Sequence, residues 1–229
     1  MSEIRKVAVI AGATSGMGWE IACDLAADHE VIALGREAAA LAELDARPGI
    51  RAVSCDITSA AQREELAAGL GRVDVLVHAA AGATTDAAGP EAWDAMLGMF
   101  LVAPAELTRL LLPGLRESRG TVVFIGSGAG TRAIPRMALY TAAKHGLRGY
   151  ADVLRIAESP HGVRVATVAP GPTDTPGHRR GLAASATPYE PERYVRPASV
   201  ARAVRFVVDA SEDVHLTDVA VRPRVELSR

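Results

Sequence analysis

The chain is short of cysteine. Its 229 residues hold two, Cys23 and Cys55, with no CxxC pair. That argues against a disulfide scaffold and a thiolate metal site, so no metal is expected, and it points to a reducing compartment. Aromatic residues amount to 4%. Charge of one sign is also lacking: 25 Lys and Arg face 27 Asp and Glu, a net charge of −2. No strong field is present to draw in nucleic acid or an anionic membrane, and neither is expected as a partner. No uninterrupted apolar run reaches the ~18 residues of a membrane span. Met1 to Lys6 runs straight into a strand-like segment without an apolar targeting region. Internal repeats, low-complexity tracts and Pro/Gly linkers are missing too. What is present is 49% hydrophobic and 23% charged, the balance of a folded chain that buries roughly 70–75% of its surface. One cytoplasmic domain over residues 1–229 is expected.

Short apolar runs alternate with helix-forming stretches almost throughout. Val7 to Ile10, Val31 to Leu34, Ala52-Val53, Val75 to Val77, Val122 to Ile125, Val163 to Val168 and Val219 to Val221 read as seven strands buried on both faces. Met17–Ala27, Glu37–Ala46, Ser59–Leu70, Glu91–Leu115, Leu139–Glu158 and Ala198–Asp209 read as helices. Ser59 with Gln62 has the spacing of a capping box. Such alternation predicts an α/β fold, a parallel sheet with helices on both faces. Pro170 to Pro197 reads as irregular, and its part from about 175 to 197 as a lid over the substrate side. Gly177 and Gly181 would let that lid move.

The first strand runs into Ala11-Gly12-Ala13-Thr14-Ser15-Gly16-Met17-Gly18, and a helix follows. Glycines there allow a tight turn, and free N–H groups at the helix start favour a phosphate. The position between the first strand and the first helix favours dinucleotide binding over a plain turn. The second strand ends at Leu34-Gly35-Arg36. Gly35 offers no carboxylate for a ribose hydroxyl pair, and Arg36 offers a fork suited to a 2′-phosphate. NADP(H) is therefore expected over NAD(H). Asp56, after the third strand, either accepts from an adenine amino group or caps a helix.

Tyr140 and Lys144 are spaced i, i+4 and share a helix face. A tyrosine alone is a poor base at neutral pH, with a pKa near ~10. A neighbouring ammonium would stabilise its phenolate and create an acid/base pair. Ser127, at the end of the preceding strand, could donate to a substrate oxygen beside Tyr140.

Together Gly12/Gly16/Gly18, Asp56, Asp74 to Val77, Ser127, Tyr140/Lys144 and Pro170-Gly171-Pro172-Thr173-Asp174-Thr175 resemble the short-chain dehydrogenase/reductase family, across essentially the whole chain. The thirteen positions from Ser127 to Tyr140 match the family spacing. The resemblance implies a Rossmann-like sheet of seven strands in the order 3-2-1-4-5-6-7. It implies hydride transfer between a nicotinamide and a small carbonyl or alcohol, with Ser127, Tyr140 and Lys144 as catalytic residues. It also implies cofactor contacts from Gly12, Thr14, Ser15, Gly16, Met17 and Gly18, from Arg36, Asp56, Ile57 and Ala80, from Tyr140 and Lys144, and from Pro170, Gly171, Thr173 and Thr175. The terminal Val219 to Pro223 looks like members that act on small hydroxy acids. Family likeness also implies a homodimer or homotetramer through helices 91–115 and 139–158.

Two positions depart from the family pattern. The usual Asn-Asn-Ala-Gly is replaced by His78-Ala79-Ala80-Ala81, and His78 reads as a buried, satisfied histidine. Phe100 stands where an active-site asparagine is usual. Pro104 lacks an N–H for the Phe100 carbonyl, so a bend near 100–104 is expected, with that carbonyl turned to Lys144 or a water. The other reading of Pro104 is a simple kink. Arg132, Ile134, Pro135 and Met137 are candidate pocket walls. His178-Arg179-Arg180 either meets an anionic substrate or is a solvated face. An oxidoreductase is expected, and a nucleotide-binding regulator that has lost turnover is the alternative.

Overall fold

The computed structural model describes residues 5–82, 89–135 and 137–225. Seven parallel strands form one sheet: β1 (Lys6–Ala11), β2 (His29–Gly35), β3 (Ile50–Ser54), β4 (Val75–His78), β5 (Thr121–Ile125), β6 (Arg164–Pro170) and β7 (Asp218–Val221). Their order is β3-β2-β1-β4-β5-β6-β7. The helices are α1 (Gly16–Leu25), α2 (Ala38–Asp45), α3 (Ala60–Ala68), α4 (Pro90–Leu97), α5 (Ala103–Ser118), α6 (Ala138–Glu158), α7 (Pro176–Ala184) and α8 (Pro197–Val208).

The apolar runs of the inner strands follow from two-sided burial, whereas the edge strands β3 and β7, expected to be buried on both faces, leave Arg51, Ser54, Asp218 and Ala220 exposed because no strand or helix covers them fully. Successive residues point to opposite faces. Ala8 and Ile10 pack with Ile21 of α1, Leu44 of α2 and Val204 of α8. Val9 and Ala11 pack with Leu66 of α3, Leu107 and Leu111 of α5, and Leu147 of α6. Two ion-pair clusters tie helices together. Arg205 of α8 bonds Asp24 of α1 and Asp28 beyond it at 2.7 and 2.8 Å. Arg116 of α5 forks onto Glu158 of α6 at 2.7 and 2.8 Å. The Glu158 side chain is almost fully buried, and its guanidinium partner holds its carboxyl below the usual range.

Three local expectations are corrected. Ser59 does cap α3, accepting from the Gln62 N–H at 3.5 Å, but the Gln62 side chain accepts from the Asp56 N–H at 2.7 Å and does not return to Ser59. The single helix 91–115 is instead α4, a π-turn over Gly98–Val102, and α5. In that turn the Ala103 N–H reaches the Gly98 carbonyl, five residues back. The next residue, Pro104, has no N–H to give, so the ladder loses its register there. The irregular stretch 170–197 contains α7, with Pro176 at its first position and Thr175 as its cap, accepting from the His178 N–H at 3.1 Å. A parallel bridge from Thr173 to Val195 closes that segment at its base.

The helical run from Pro90 to Ser118 is long and apolar enough to cross a membrane by length and composition. Here its apolar stripe of Ala103, Leu107, Leu111 and Leu115 lies on the sheet. Leu107 is fully buried. Leu107→Ala should lower unfolding stability by about 2–5 kcal/mol through lost transfer energy and a cavity. Chemical denaturation reads this, and a loss under about 1 kcal/mol would contradict the packing described.

Candidate active site

Every site residue singled out in the sequence lies at a strand's carboxyl end, in the loop beyond it or on the helix after it. An open parallel sheet places ligands at that edge. The first loop is tied to its neighbours by backbone. Gly12 and Ala13 donate their N–H groups to the Leu34 carbonyl at 3.0 and 2.9 Å. Gly12 has φ of 86°, and a side chain there would strike the backbone of Ala79 and Ala80. Ser15 occupies the cap position of α1, yet its side chain makes no capping bond. Ser59 and Thr175 do cap their helices. The first turn of α1 therefore offers uncapped N–H groups to an anion. A Cβ at Gly18 would collide with the Gly12 carbonyl, and one at Gly16 would lie 3.0 Å from the Thr175 methyl group. This backbone cradle fits the pyrophosphate of a dinucleotide.

At the end of β2 the space beside Gly35 is filled by Thr14, whose hydroxyl would lie 2.9 Å from a Cβ at position 35. Thr14 thus bars a carboxylate there. Arg36 is exposed, with Nη1 3.3 Å from Asp56 Oδ2. Asp56 Oδ1 accepts from the Thr58 N–H and hydroxyl at 2.9 and 2.7 Å. These Thr58 bonds, with help from Arg36, hold the Asp56 carboxyl below the usual range. Asp56 thus shapes a turn before α3 and does not cap the helix. Ile57 points into the core, and its carbonyl accepts from Arg63 at 2.6 Å. Ala80 packs against the core beneath Gly12. Pro170 ends β6, and the Thr173 hydroxyl turns inward to the Gly171 carbonyl at 2.9 Å.

Ser127 follows β5. Its oxygen accepts from the Ala129 N–H at 3.1 Å, which leaves its hydroxyl proton to donate. Tyr140 and Lys144 share the inner face of α6. Burial pushes the Tyr140 phenol above its ordinary value, and a hydrogen bond with Ser127 opposes that shift. Lys144 is buried, and burial alone brings its ammonium down to about 8. It does not lower Tyr140 in this form, contrary to the sequence expectation. Nζ donates to the Ile125 carbonyl at 2.9 Å and lies 4.7 Å from the centre of the Phe100 ring. That is a cation–π distance. Phe100 also meets Tyr140 edge-on at 5.4 Å. The fault expected at Pro104 takes the form of the π-turn, and the group of Phe100 that meets Lys144 is its ring. The sequence offered no sign of this contact or of the Ile125 acceptor.

His78 is buried but only half satisfied. Its ring stacks on Phe124 at 4.9 Å, and Nε2 lies 2.8 Å from the Thr108 hydroxyl, while Nδ1 has no partner among the described residues. On the substrate side, the Arg132 guanidinium lies against Gly128, next to Ser127. Ile134, Pro135 and Met137 continue that loop. The His178-Arg179-Arg180 run divides. Arg179 forks onto Asp174 at 2.6 and 2.7 Å, His178 packs on Tyr194, and Arg180 is exposed. Tyr189 donates to the same Asp174 at 2.7 Å, so α7 is laced to the end of β6.

The model of the family described as short chain dehydrogenase matches residues 6–184. An uncharacterised short-chain type dehydrogenase/reductase of Sinorhizobium fredii is 32% identical over 227 residues, 95% of this chain and 91% of that protein. An alcohol dehydrogenase from the archaeon Thermococcus sibiricus, complexed with 5-hydroxy-NADP, is 25% identical with a TM-score of 0.84, over 98% of this chain and 99% of that one. Actinorhodin polyketide ketoreductase with NADPH is 27% identical with a TM-score of 0.86, over 97% of this chain and 98% of that one.

Burial of the two side chains sets their titration. In the ligand-free protein, Lys144 should titrate below the ordinary 10.5, moved toward about 8, and Tyr140 above 10.0. The fold disfavours the Lys144 ammonium, so its burial lowers stability most below pH 8. That penalty falls as pH rises from about 8 to 10.5. Side-chain NMR titration checks both values. A Lys144 midpoint at or above 10.5 would contradict the burial described.

Proposed function

The chain belongs to the short-chain dehydrogenases, oxidoreductases that move a hydride to or from a CH–OH or C=O carbon, and we propose that within them it is an NADP(H)-dependent reductase or dehydrogenase of a small carbonyl or alcohol. The observation that carries the proposal is the convergence of Ser127, Tyr140 and Lys144 beside an uncapped, glycine-lined helix start. NADP(H), when bound, supplies or accepts the hydride. The uncapped N–H groups of α1 hold its pyrophosphate. The Arg36 fork takes the 2′-phosphate, and Thr14 excludes a competing carboxylate at position 35. The two solved relatives named above carry NADP-type cofactors, which supports the same choice.

At the substrate, Ser127 turns its hydroxyl proton from Tyr140 to the reacting oxygen. Tyr140 gives the proton to that oxygen in reduction and takes it back in oxidation. A phenol kept protonated by burial is ready to give its proton to a carbonyl at neutral pH. Lys144 would hold the nicotinamide ribose through its remaining N–H donors. The exposed Val102 at the end of the turn between α4 and α5, and the exposed Val153 and Ile156 on α6, mark the faces on which we place a homo-oligomer.

Dissociation constants should favour NADPH over NADH by tenfold or more, about 1.4 kcal/mol. Arg36→Ala should remove most of that preference by weakening NADPH alone. Equal binding in the unaltered protein, or tighter NADH, would sink the assignment. A switch toward NADH through Gly35→Asp needs Thr14→Ala beside it, because Thr14 fills that space.

Proton transfer has its own test. Tyr140→Phe should cut turnover by roughly 10²–10⁴-fold and leave NADPH binding largely intact. Undiminished turnover would remove Tyr140 from the reaction. A protein that binds NADPH and turns over no carbonyl would be the regulator. The Phe100 ring lying against Lys144 is the observation that favours this second reading.

A further inference from the structure

Most cations near the proposed site are already spent on the protein itself. Lys144 donates to the Ile125 carbonyl, Arg179 forks onto Asp174, and Arg148 pairs with Asp218 at 2.8 Å. Arg132 differs. Among the described residues no carboxylate or carbonyl takes any of its N–H groups, and Nε is buried without a partner. A guanidinium stays charged at every working pH and carries five N–H donors in one plane. Keeping it half-buried with no acceptor costs free energy.

A glycine fixes where this side chain lies. Ser127 is followed by the short 3₁₀ turn Gly128–Gly130, and Arg132 comes just after it. The turn brings the guanidinium back over Gly128. Nη2, Nε and Cζ lie 3.0, 3.2 and 3.5 Å from the place where a Cβ would stand on that glycine. With Cζ the farthest of the three, the Nε–Nη2 edge meets Gly128 in the plane of the group. That contact seals Nε. The side chain is only half-buried, so the outer fork, Nη1 with the far N–H of Nη2, is the part left open. An outer fork of this kind binds a carboxylate through two parallel hydrogen bonds. Chain geometry through Gly128 keeps Cζ within about 9 Å of the Ser127 Cα. A molecule of a few carbons spans from the Ser127 hydroxyl to the fork.

We propose that Arg132 is the subsite for an anionic end of the substrate, and that the carbonyl compounds taken by this protein are short oxo acids, with the matching hydroxy acids in the reverse direction. The assignment rests on the reading of Ser127 and Tyr140 as the groups that hold the reacting oxygen. Arg132 takes the carboxylate while Ser127 and Tyr140 take the keto oxygen, so both ends of the carbon chain are fixed. Reduction adds the hydride of NADPH, with its electron pair, to the keto carbon and the Tyr140 proton to the oxygen. C=O becomes CH–OH, and the carboxylate is carried through unchanged. A neutral ketone would leave the guanidinium as unpartnered as it is in the free protein, and this gives the site its selectivity. Of the arginines that the sequence offered to an anion, Arg179 is bound to Asp174 and Arg180 lies exposed on α7.

The test compares pyruvate, acetoacetate and levulinate with their methyl esters. The three acids set the carboxylate at increasing distance from the keto group, and the esters keep the chain and remove the charge. With NADPH, the unaltered protein should favour the best acid over its ester by at least about tenfold in kcat/KM. Arg132→Met should lower that acid-to-ester ratio by roughly 10- to 100-fold, mostly through KM for the acid. Arg132→Lys keeps the charge without the fork and should fall between the two. Arg132→Gln takes the place of the methionine variant should that one not fold. Equal use of acids and esters by the unaltered protein, or an unchanged ratio in the variant, would overturn the proposal. If neither series is reduced, the function proposed above fails, and calorimetry with the same acids decides the subsite by itself. Binding that Arg132→Met abolishes upholds it. No binding to the unaltered protein, or binding that survives the substitution, overturns it.

Discussion

An ammonium without access to water destabilises a fold unless its donors find acceptors. Lys144 is such a group, 6% exposed on the inner face of α6. The Ile125 carbonyl, the Phe100 ring and a small cavity shared with His78 are what the fold sets around it. Each comes from a different element: the end of β5, the π-turn between α4 and α5, and the end of β4. Tyr140, one helical turn before Lys144, shares its burial and its Phe100 neighbour. The chemistry of the site is therefore set by how three separate strand and helix ends close on one side chain.

That closure depends on the sheet. Parallel strands deliver their carboxyl ends to one edge, and two-sided burial fixes their register. β4 lies between β1 and β5. His78 is paired with Ala11 on one side and Phe124 on the other. A one-residue slip would turn His78 away from Thr108 and out of reach of the cavity. The same edge brings Gly12 against Ala80 and Thr175 against Gly16, so the glycine loop is held by the same framework that carries Tyr140 and Lys144.

The parallel sheet was legible because each strand carries a short apolar run and the helices alternate with those runs. Gly12, Ser127, Tyr140 and Lys144 were legible because spacing along the chain is itself the signal. The π-turn was legible only in part: Pro104 announces a fault in the ladder, but which carbonyl gives way depends on how α4 and α5 seat on the sheet. Helix α7 was missed because Gly177 and Gly181 read as flexible, although Thr175-Pro176 is a cap followed by a favoured first residue. The direction of the Lys144 charge could not be read at all. It depends on Phe100 and Ile125, which lie 44 and 19 positions away in the chain. Thr14 filling the space beside Gly35 is likewise a contact between separate loops.

The central claim is that this site moves a hydride between NADP(H) and a carbonyl carbon while Tyr140 moves the proton. The most direct measurement uses NADPH carrying deuterium at nicotinamide C4 and a panel of aldehydes, ketones and oxo acids. The account predicts consumption of the cofactor with at least one carbonyl, and deuterium in the product alcohol, bound to the former carbonyl carbon and on one face only. A folded protein that binds NADPH and transfers no deuterium to any carbonyl would contradict it.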